Sequence, residues 1–576
     1  MLENLELASF VPLVGYNNAG KSNVLAALQW LLRRSALPES DFFNPAAAVS
    51  VEASIGGMND AVLDRITAQH RDRLRPFVND ETLHIKREQA TPGGGAAAAR
   101  LYVRDPAAGD NDAGWVPNPT GIDNAIAALF PEPLVIGAME DAGKDIGKYE
   151  TSTTIGKLIA QLMKVVSENN GREIQTRLNA LRDLLAADGV GRARELVAFD
   201  ESANRIVSEF FPGVQVRVHV PAPELSTVIK AGTILVYEGH GGEADPPAGR
   251  DVSAYGHGAQ RAIQMSLVRQ LAESTQAEAP GRTLLLIDEP ELYLHPQAIA
   301  KVCAALRTLS QGSYQVIFTT HSPLMIARQD LANVLVLLKD GRGRTWCRRR
   351  AGSAIQVLED EARHQLDELF NTEGAAQILF SDRVVLVEGK TERELLPDLF
   401  QHVYGVTPAD KRVGVVPLDG VGSARKCLRV LKAMSIPARV MTDLDYAFRG
   451  AIAAGLLDRD DPDVALCRGR CGKVANQIGG SIAEDGFFSG ENRVPCFHAL
   501  AEDELARHAI QRLHEKLLEH DVWVWTLGAI ERHLGITGKT YTEWSRLRSA
   551  LAADGEGALH DPHGIASCIR WLTGDA

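Results

Sequence analysis

Apolar and polar positions alternate along this chain in three distinct ways. Short unbroken apolar runs bounded by turn residues, "FVPLVG", "RTLLLIDEP" and "SYQVIFTTHSP", predict parallel strands buried on both faces. A second set, "RVVLVEGKTE", "VGVVPLDG" and "ARVMTDLD", begins after the helix-rich stretch "DELFNTEGAAQILFSD", so a domain boundary is expected near residue 375. Helical spacing marks "NVLAALQWLL", with Val24, Leu25, Leu28 and Leu31 on one face. It returns in a helical excursion over 152–211, with Ile155, Leu158, Ile159 and Leu162 in register, a pattern that fits a packed helical layer and a dimerisation arm equally. Between these lie the short strands "ETLHIKRE" and "RLYVRD", and loops such as "TPGGGAAAAR" and "DPAAGDNDAG". Residues 501–576 are helix-rich with one more strand, "VWVWTLG". The pattern predicts an α/β chain of segments 1–151, 152–211, 212–375, 376–500 and 501–576.

Composition narrows the function only slightly. At 576 residues the chain has room for several domains. It has no apolar run long enough for a bilayer and no basic-then-apolar start, so no membrane association is expected and the cytoplasm is the expected compartment. A net charge of −13 speaks against a protein that coats nucleic acid, yet suits one whose carboxylates hold metal. Cys467, Cys471, Cys496 and His498 match no common zinc spacing, and free thiols are the better reading.

The stretch "GYNNAGKSN" fits the phosphate-loop pattern between a strand and a helix. Gly15, Asn17, Asn18, Ala19, Gly20 and Asn23 form the cradle, Lys21 reaches the β- and γ-phosphates, and Ser22 holds Mg²⁺. Further on, Asp288 at the tip of "LLLIDEP" reads as a metal partner and Glu289 as the group that orients water. His321 in "TTHSP" stands where it meets the γ-phosphate. Gly256 and Gly258 open a helix expected near Ala259, in "SAYGHGAQRAIQ". This resembles the signature helix of ABC-type ATPases, with a spelling other than LSGGQ. Together with "IDEPELYLHP" it resembles the RecF/SMC-like branch of that class. Only 14 residues precede Gly15, so a truncated start or a minimal antiparallel edge is expected. The glutamine loop has no clear position.

The second set of strands carries acids. Glu388 ends one strand and Glu392 follows four residues later on a helix. Asp443 and Asp445 end another, where period two puts both on one face of the strand. Four carboxylates at strand ends make a hard oxygen site for Mg²⁺ or Mn²⁺, and like charges so close require a cation. "LVEGKTE" with "TDLD" resembles a Toprim domain. An ATPase followed by a Toprim domain resembles the OLD (overcoming lysogenization defect) family of nucleases.

That resemblance implies the rest of the expected site. It makes 1–151 and 212–375 the two parts of an ABC-type ATPase, 152–211 a dimerisation insert, 376–500 the Toprim domain, and 501–576 a segment completing its site. It adds Glu531 in "WTLGAIERHLG" as a late acid and Lys539 in "ITGK" as a transition-state cation. Glu388, Asp443 and Asp445 would hold one metal, and Glu392 and Glu531 a second. A third ion would accompany ATP. It implies DNA as substrate, a homodimer built through the ATPase and the insert, a helicase or other defence protein as partner, and a role in phage defence or repair. Arg425, Lys426, Arg429 and Lys432, and the run from Arg342 to Arg350, are candidate DNA contacts. Two alternatives stay open: a RecF/SMC-like DNA clamp with an inert Toprim domain, and a topoisomerase or primase. The topoisomerase would require a nucleophilic tyrosine, for which no tyrosine here has a recognisable context.

Overall fold

The computed structural model describes residues 5–108, 114–130, 132–137, 154–221, 223–224, 227, 234–238, 249–274, 282–312, 314–348, 350, 352–353, 369, 375–418 and 420–575. The chain divides into two compact units, residues 22–320 and residues 1–21 with 321–576. Residues 354–368 and 370–374, before the boundary expected near residue 375, lie outside the described residues, as do the side chains of Ile155, Leu158, Ile159 and Leu162.

Strand β1 (Phe10–Val14) is buried along its whole length, and the helix α1 (Lys21–Leu32) follows the loop. In the unit of residues 22–320, the antiparallel strands Val49–Ile55, Thr82–Gln89, Arg100–Arg104 and Trp115–Pro117 form a sheet, with the short Val78–Asn79 also paired to Thr82–Gln89. Burial alternates residue by residue along Thr82–Gln89, the signature of a sheet with one covered face. Leu83, Ile85, Leu101 and Val103 pack on Leu31, Ile126 and Leu129. The same unit holds three parallel strands, β2 (Leu134–Ile136), β3 (Thr283–Ile287) and β4 (Tyr314–Thr320), with β3 in the middle. The helical excursion consists of α2 (Thr154–Leu185) and α3 (Arg194–Phe210), and α4 (His257–Ser274) precedes β3. On α3, Phe199, Ile206 and Phe210 are exposed.

In the other unit, β1 pairs in parallel with β5 (Leu335–Lys339), which pairs antiparallel with β6 (Thr345–Cys347). The unit also holds an all-parallel sheet made from β7 (Arg383–Val387), β8 (Val413–Pro417), β9 (Ala438–Thr442) and β10 (Val522–Val524), in the order β8-β7-β9-β10. Its strands are apolar without alternation because both faces are covered. Val384 and Leu386 face α6 (Ala424–Ala433), α7 (Pro462–Ile478), α8 (Arg493–Glu502) and α9 (Glu504–Leu518). Val385 and Val387 face the other layer, formed by α5 (Lys390–Tyr404), α10 (Ile530–Leu534) and α11 (Pro562–Thr573). Parallel order puts the carboxyl ends of β7, β9 and β10 along one edge, where such sheets hold ligands. Among the described residues no helix is long and apolar enough to cross a membrane.

Candidate functional site

At that edge the acids gather. Glu388 follows β7 directly, and its Oε2 accepts the backbone N–H of Asp443 at 3.1 Å. Glu392 lies in the first turn of α5 and is buried. Gly389 leaves the room it needs, since a Cβ there would come within 2.6 Å of Glu392 Oε2. Glu531, in the first turn of α10, accepts the Thr391 hydroxyl at 2.6 Å and stands 3.4 Å from Lys539 Nζ. Asp445 departs from the expected strand position. Strand β9 ends at Thr442, and Asp445 opens a short helix, Asp445–Phe448. The buried Leu444 between them gives its N–H to Gly528 O rather than to a strand neighbour, which ends the ladder. Asp445 pairs instead with Arg493 at 3.5 Å.

Electrostatics make this cluster costly as it stands. Burial, then the nearby charges of Glu531 and Glu388, push Glu392 up to about 7. Burial and the charges of Glu392 and Glu388 hold Asp443 well above the usual carboxylate range. Glu388 is raised too, by burial and by Asp445. Burial opposes the Lys539 ammonium, but Glu531, Asp443 and Glu392 together raise it above an ordinary lysine. Two carboxylate oxygens, Glu392 Oε2 and Asp443 Oδ1, are buried with no hydrogen-bond partner. Among the described residues no three His, Cys, Asp or Glu side chains are gathered at metal-holding distance. The donor set nonetheless fits a hard divalent ion: every donor is an oxygen, and the two orphaned atoms lack the partner such an ion provides.

The phosphate loop is built differently. Gly15 and Gly20 have φ of +152° and +96°, and Asn18 has φ of +64°. A side chain at Gly20 would run into Thr345, and one at Gly15 into Leu337 O. Lys21 Nζ donates to the carbonyls of Gly15 and Tyr16 at 3.0 and 3.1 Å and lies 2.7 Å from His321 Nε2. In the unit of residues 22–320, Ser22 Oγ donates to Asp288 at 3.0 Å. Asp288 Oδ1 accepts Thr319 Oγ1 at 2.5 Å, and Thr319 Oγ1 accepts the N–H of Glu289, whose φ is +47°. Helix α4 begins at His257, two residues before the expected start, so Gly258 lies inside its first turn. Arg261 of that helix donates to the carbonyls of Asp288 and Glu289 at 2.8 and 2.9 Å, clamping the acidic turn.

Comparison with known proteins agrees with this layout. Residues 379–445 match the family model "Overcoming lysogenization defect protein-like, TOPRIM domain", and residues 227–326 match "AAA ATPase domain". The Old nuclease of Escherichia phage P2 is 34% identical over 98% of this chain and 96% of its own. This chain belongs to the OLD nuclease family. The OLD nuclease of Thermus scotoductus is 30% identical over 32% of this chain and 35% of its own. An Smc head domain of Pyrococcus furiosus, solved bound to the C-terminal domain of ScpA, aligns at 14% identity and a TM-score of 0.33, over 62% of this chain and 94% of that one. A score that low carries no argument. The fold is α/β, an ATPase domain followed by a Toprim domain with helical C-terminal segments, in the order of the OLD family.

Some polar residues around these sites gave no sign in the sequence. Thr391 is one of them: only the fold brings its hydroxyl to Glu531. Arg493, Arg261 and Thr319 look like ordinary polar positions until the fold brings them to Asp445, Asp288 and Glu289. Of the candidate DNA contacts, Arg425, Arg429 and Lys432 lie exposed on one face of α6. The run from Arg342 to Arg350 is largely committed elsewhere: Arg344 binds Asp340 at 2.9 Å, Arg350 binds Glu6, and buried Arg348 donates to Ser381 O at 3.1 Å. Cys467, Cys471 and Cys496 are free and buried, and burial pushes the first two up to about 12.

Proposed function

We propose that this OLD-family protein is an ATP-hydrolysing, divalent-metal-dependent DNA endonuclease that cuts at the acidic edge of the Toprim sheet. One observation carries the reading: Glu388, Glu392, Asp443 and Glu531 are drawn to one sheet edge with like charges close together and two carboxylate oxygens orphaned. Glu388, Asp443 and Asp445 would hold one Mg²⁺ or Mn²⁺, and Glu392 and Glu531 a second. When bound, such ions supply charge neutralisation and Lewis acidity at a phosphodiester. Thr391 holds Glu531 in place, and Arg493 does the same for Asp445. Lys539, charged at neutral pH, is the group that meets negative charge building on the phosphate. The exposed face of Arg425, Arg429 and Lys432 suits a nucleic-acid backbone.

In the ATPase part, Gly15, Asn17, Asn18, Ala19, Gly20, Lys21, Ser22 and Asn23 would cradle ATP, with Asp288 on its Mg²⁺. Glu289 and His321 would serve hydrolysis, and the Gly256–Gly258 helix start would meet the nucleotide of a second protomer. The exposed Phe199, Ile206 and Phe210 of α3 support self-association through residues 152–211. Control of cutting by nucleotide is supported by Tyr16 of the phosphate loop. Its hydroxyl donates to Asp382, at the head of β7, at 3.4 Å, and Arg412 lies over its ring at 4.2 Å. The biological setting we favour is phage defence or repair, with a helicase or other defence protein as partner.

The test is cleavage of supercoiled plasmid with Mn²⁺ by the wild-type protein and by Asp443→Ala. The variant should lose cutting and keep ATP hydrolysis. Equal cutting by both would leave an ATP-driven DNA clamp with an inert Toprim domain as the better reading.

A further inference from the structure

Glu531 is far from Asp443 and Asp445 in sequence, yet all three must share one site if the reading above holds. The segment Trp525–Gly528 joins them. Trp525 N–H donates to Thr442 O at 3.1 Å, one residue before Asp443. Gly528 O accepts the N–H of Leu444, between the two aspartates, at 2.7 Å. At the middle of the segment, Leu527 N–H donates to His533 Nε2 at 3.1 Å. His533 sits on α10, the helix that carries Glu531, and is 3% exposed. A backbone N–H can only donate, so Nε2 accepts and the ring proton is on Nδ1. That nitrogen lies 2.6 Å from Asp561 Oδ2. Asp561 is fixed in turn: its Oδ1 accepts Gly564 N–H at 2.9 Å at the start of α11, and its own N–H donates to His533 O at 2.9 Å. The Trp525 ring packs on the imidazole at 4.8 Å between centroids.

We propose that His533 and Asp561 form a positioning pair that sets Glu531 against the Asp443/Asp445 loop. Neither touches the substrate. Asp561 fixes the tautomer of His533, and His533 latches the 525–528 segment to α10. A pair of this kind acts on metal affinity through the orientation of the carboxylates. The inference rests on the metal-site reading above.

The test uses the full chain without nucleotide or DNA and measures free Mn²⁺ by electron paramagnetic resonance, alongside plasmid cutting. His533→Leu keeps the volume and removes both hydrogen bonds. It should raise the Mn²⁺ dissociation constant roughly tenfold or more and slow cutting in step. His533→Gln offers an amide with one donor and one acceptor and should recover most of both. Wild-type Mn²⁺ affinity in His533→Leu overturns the proposal, as does equal impairment in the Leu and Gln variants, which would mark a packing role. If His533→Leu does not fold, Asp561→Asn decides: a weaker Mn²⁺ affinity is expected, and an unchanged one overturns the proposal. Asp443→Ala separates the two claims. If it abolishes Mn²⁺ binding while His533→Leu does not, only the positioning pair fails. If it leaves Mn²⁺ binding intact, the metal-site reading fails and the pair with it.

Discussion

Around the phosphate loop, the charged groups already have partners in the fold. Lys21 rests on two carbonyls and faces His321, while in the other unit Asp288 is held by Ser22 and Thr319. The carboxyl edge of the Toprim sheet is the reverse. There one carboxylate oxygen each of Glu392 and Asp443 is buried and unpartnered, and neighbouring carboxylates add to burial in raising both groups. The first region stores its specificity in backbone shape, so it is complete before a ligand arrives. The second crowds like charges together, an arrangement that a cation would relieve. Both arrangements suit phosphate chemistry, but they respond to different perturbations.

The largest contrast comes from removing one cation. Lys21→Ala should weaken ATP binding by about 1.5–3 kcal/mol, roughly ten- to a hundredfold, in a titration with a fluorescent ATP analogue. It should leave nucleotide-free Mn²⁺ binding at the acidic edge unchanged. A matching loss of Mn²⁺ binding would mean the two regions are not separable. Next is the shape of the loop. Gly20→Ala puts a side chain at φ +96° against Thr345 and should cost roughly 1–3 kcal/mol, read as a lower melting temperature and weaker nucleotide binding.

This difference also explains what the sequence disclosed. A loop whose function lies in backbone shape needs glycines at fixed spacing, so "GYNNAGKS" was readable letter by letter. The buried parallel strands were equally legible, because covering both faces of β7 and β9 forces unbroken apolar runs. A charge cluster has no such spelling. Glu388 and Glu392 could be paired from helical spacing, but Asp445, expected on the strand with Asp443, lies past its end. Period two assumed the strand ran through it, but the ladder ends at Thr442 and the Leu444 N–H goes to Gly528 O instead. Likewise the arginines of "RGRTWCRRR" read as a surface run, yet Arg348 is 4% exposed and serves the fold.

A smaller effect should follow pH. Glu392 is raised in the folded state to about 7, above its unfolded value near 4.5. A carboxyl raised on folding stabilises fully below the unfolded value, and that stability is lost as pH climbs through the folded one. The metal-free protein should therefore melt lower at pH 7.5 than at pH 5, by roughly a few degrees. Glu392→Gln should flatten that slope, and an unchanged slope would remove Glu392 as its source. The smallest effect concerns DNA. Arg429→Ala should weaken DNA binding a few-fold and lower the slope of log affinity against log salt by about 0.9 for each phosphate left without its cation. Its melting temperature should not move, and an unaltered salt slope would take α6 out of the DNA path.

The central claim is that the acidic edge is incomplete without a divalent cation, and thermal melting at pH 8 without nucleotide tests it directly. Wild-type protein should gain stability on addition of Mn²⁺. Glu392→Gln should be more stable than wild type in metal-free buffer, because one repelling charge is gone, and should gain less from Mn²⁺. A Glu392→Gln protein that melts below wild type without metal, together with no Mn²⁺ gain in wild type, would contradict it.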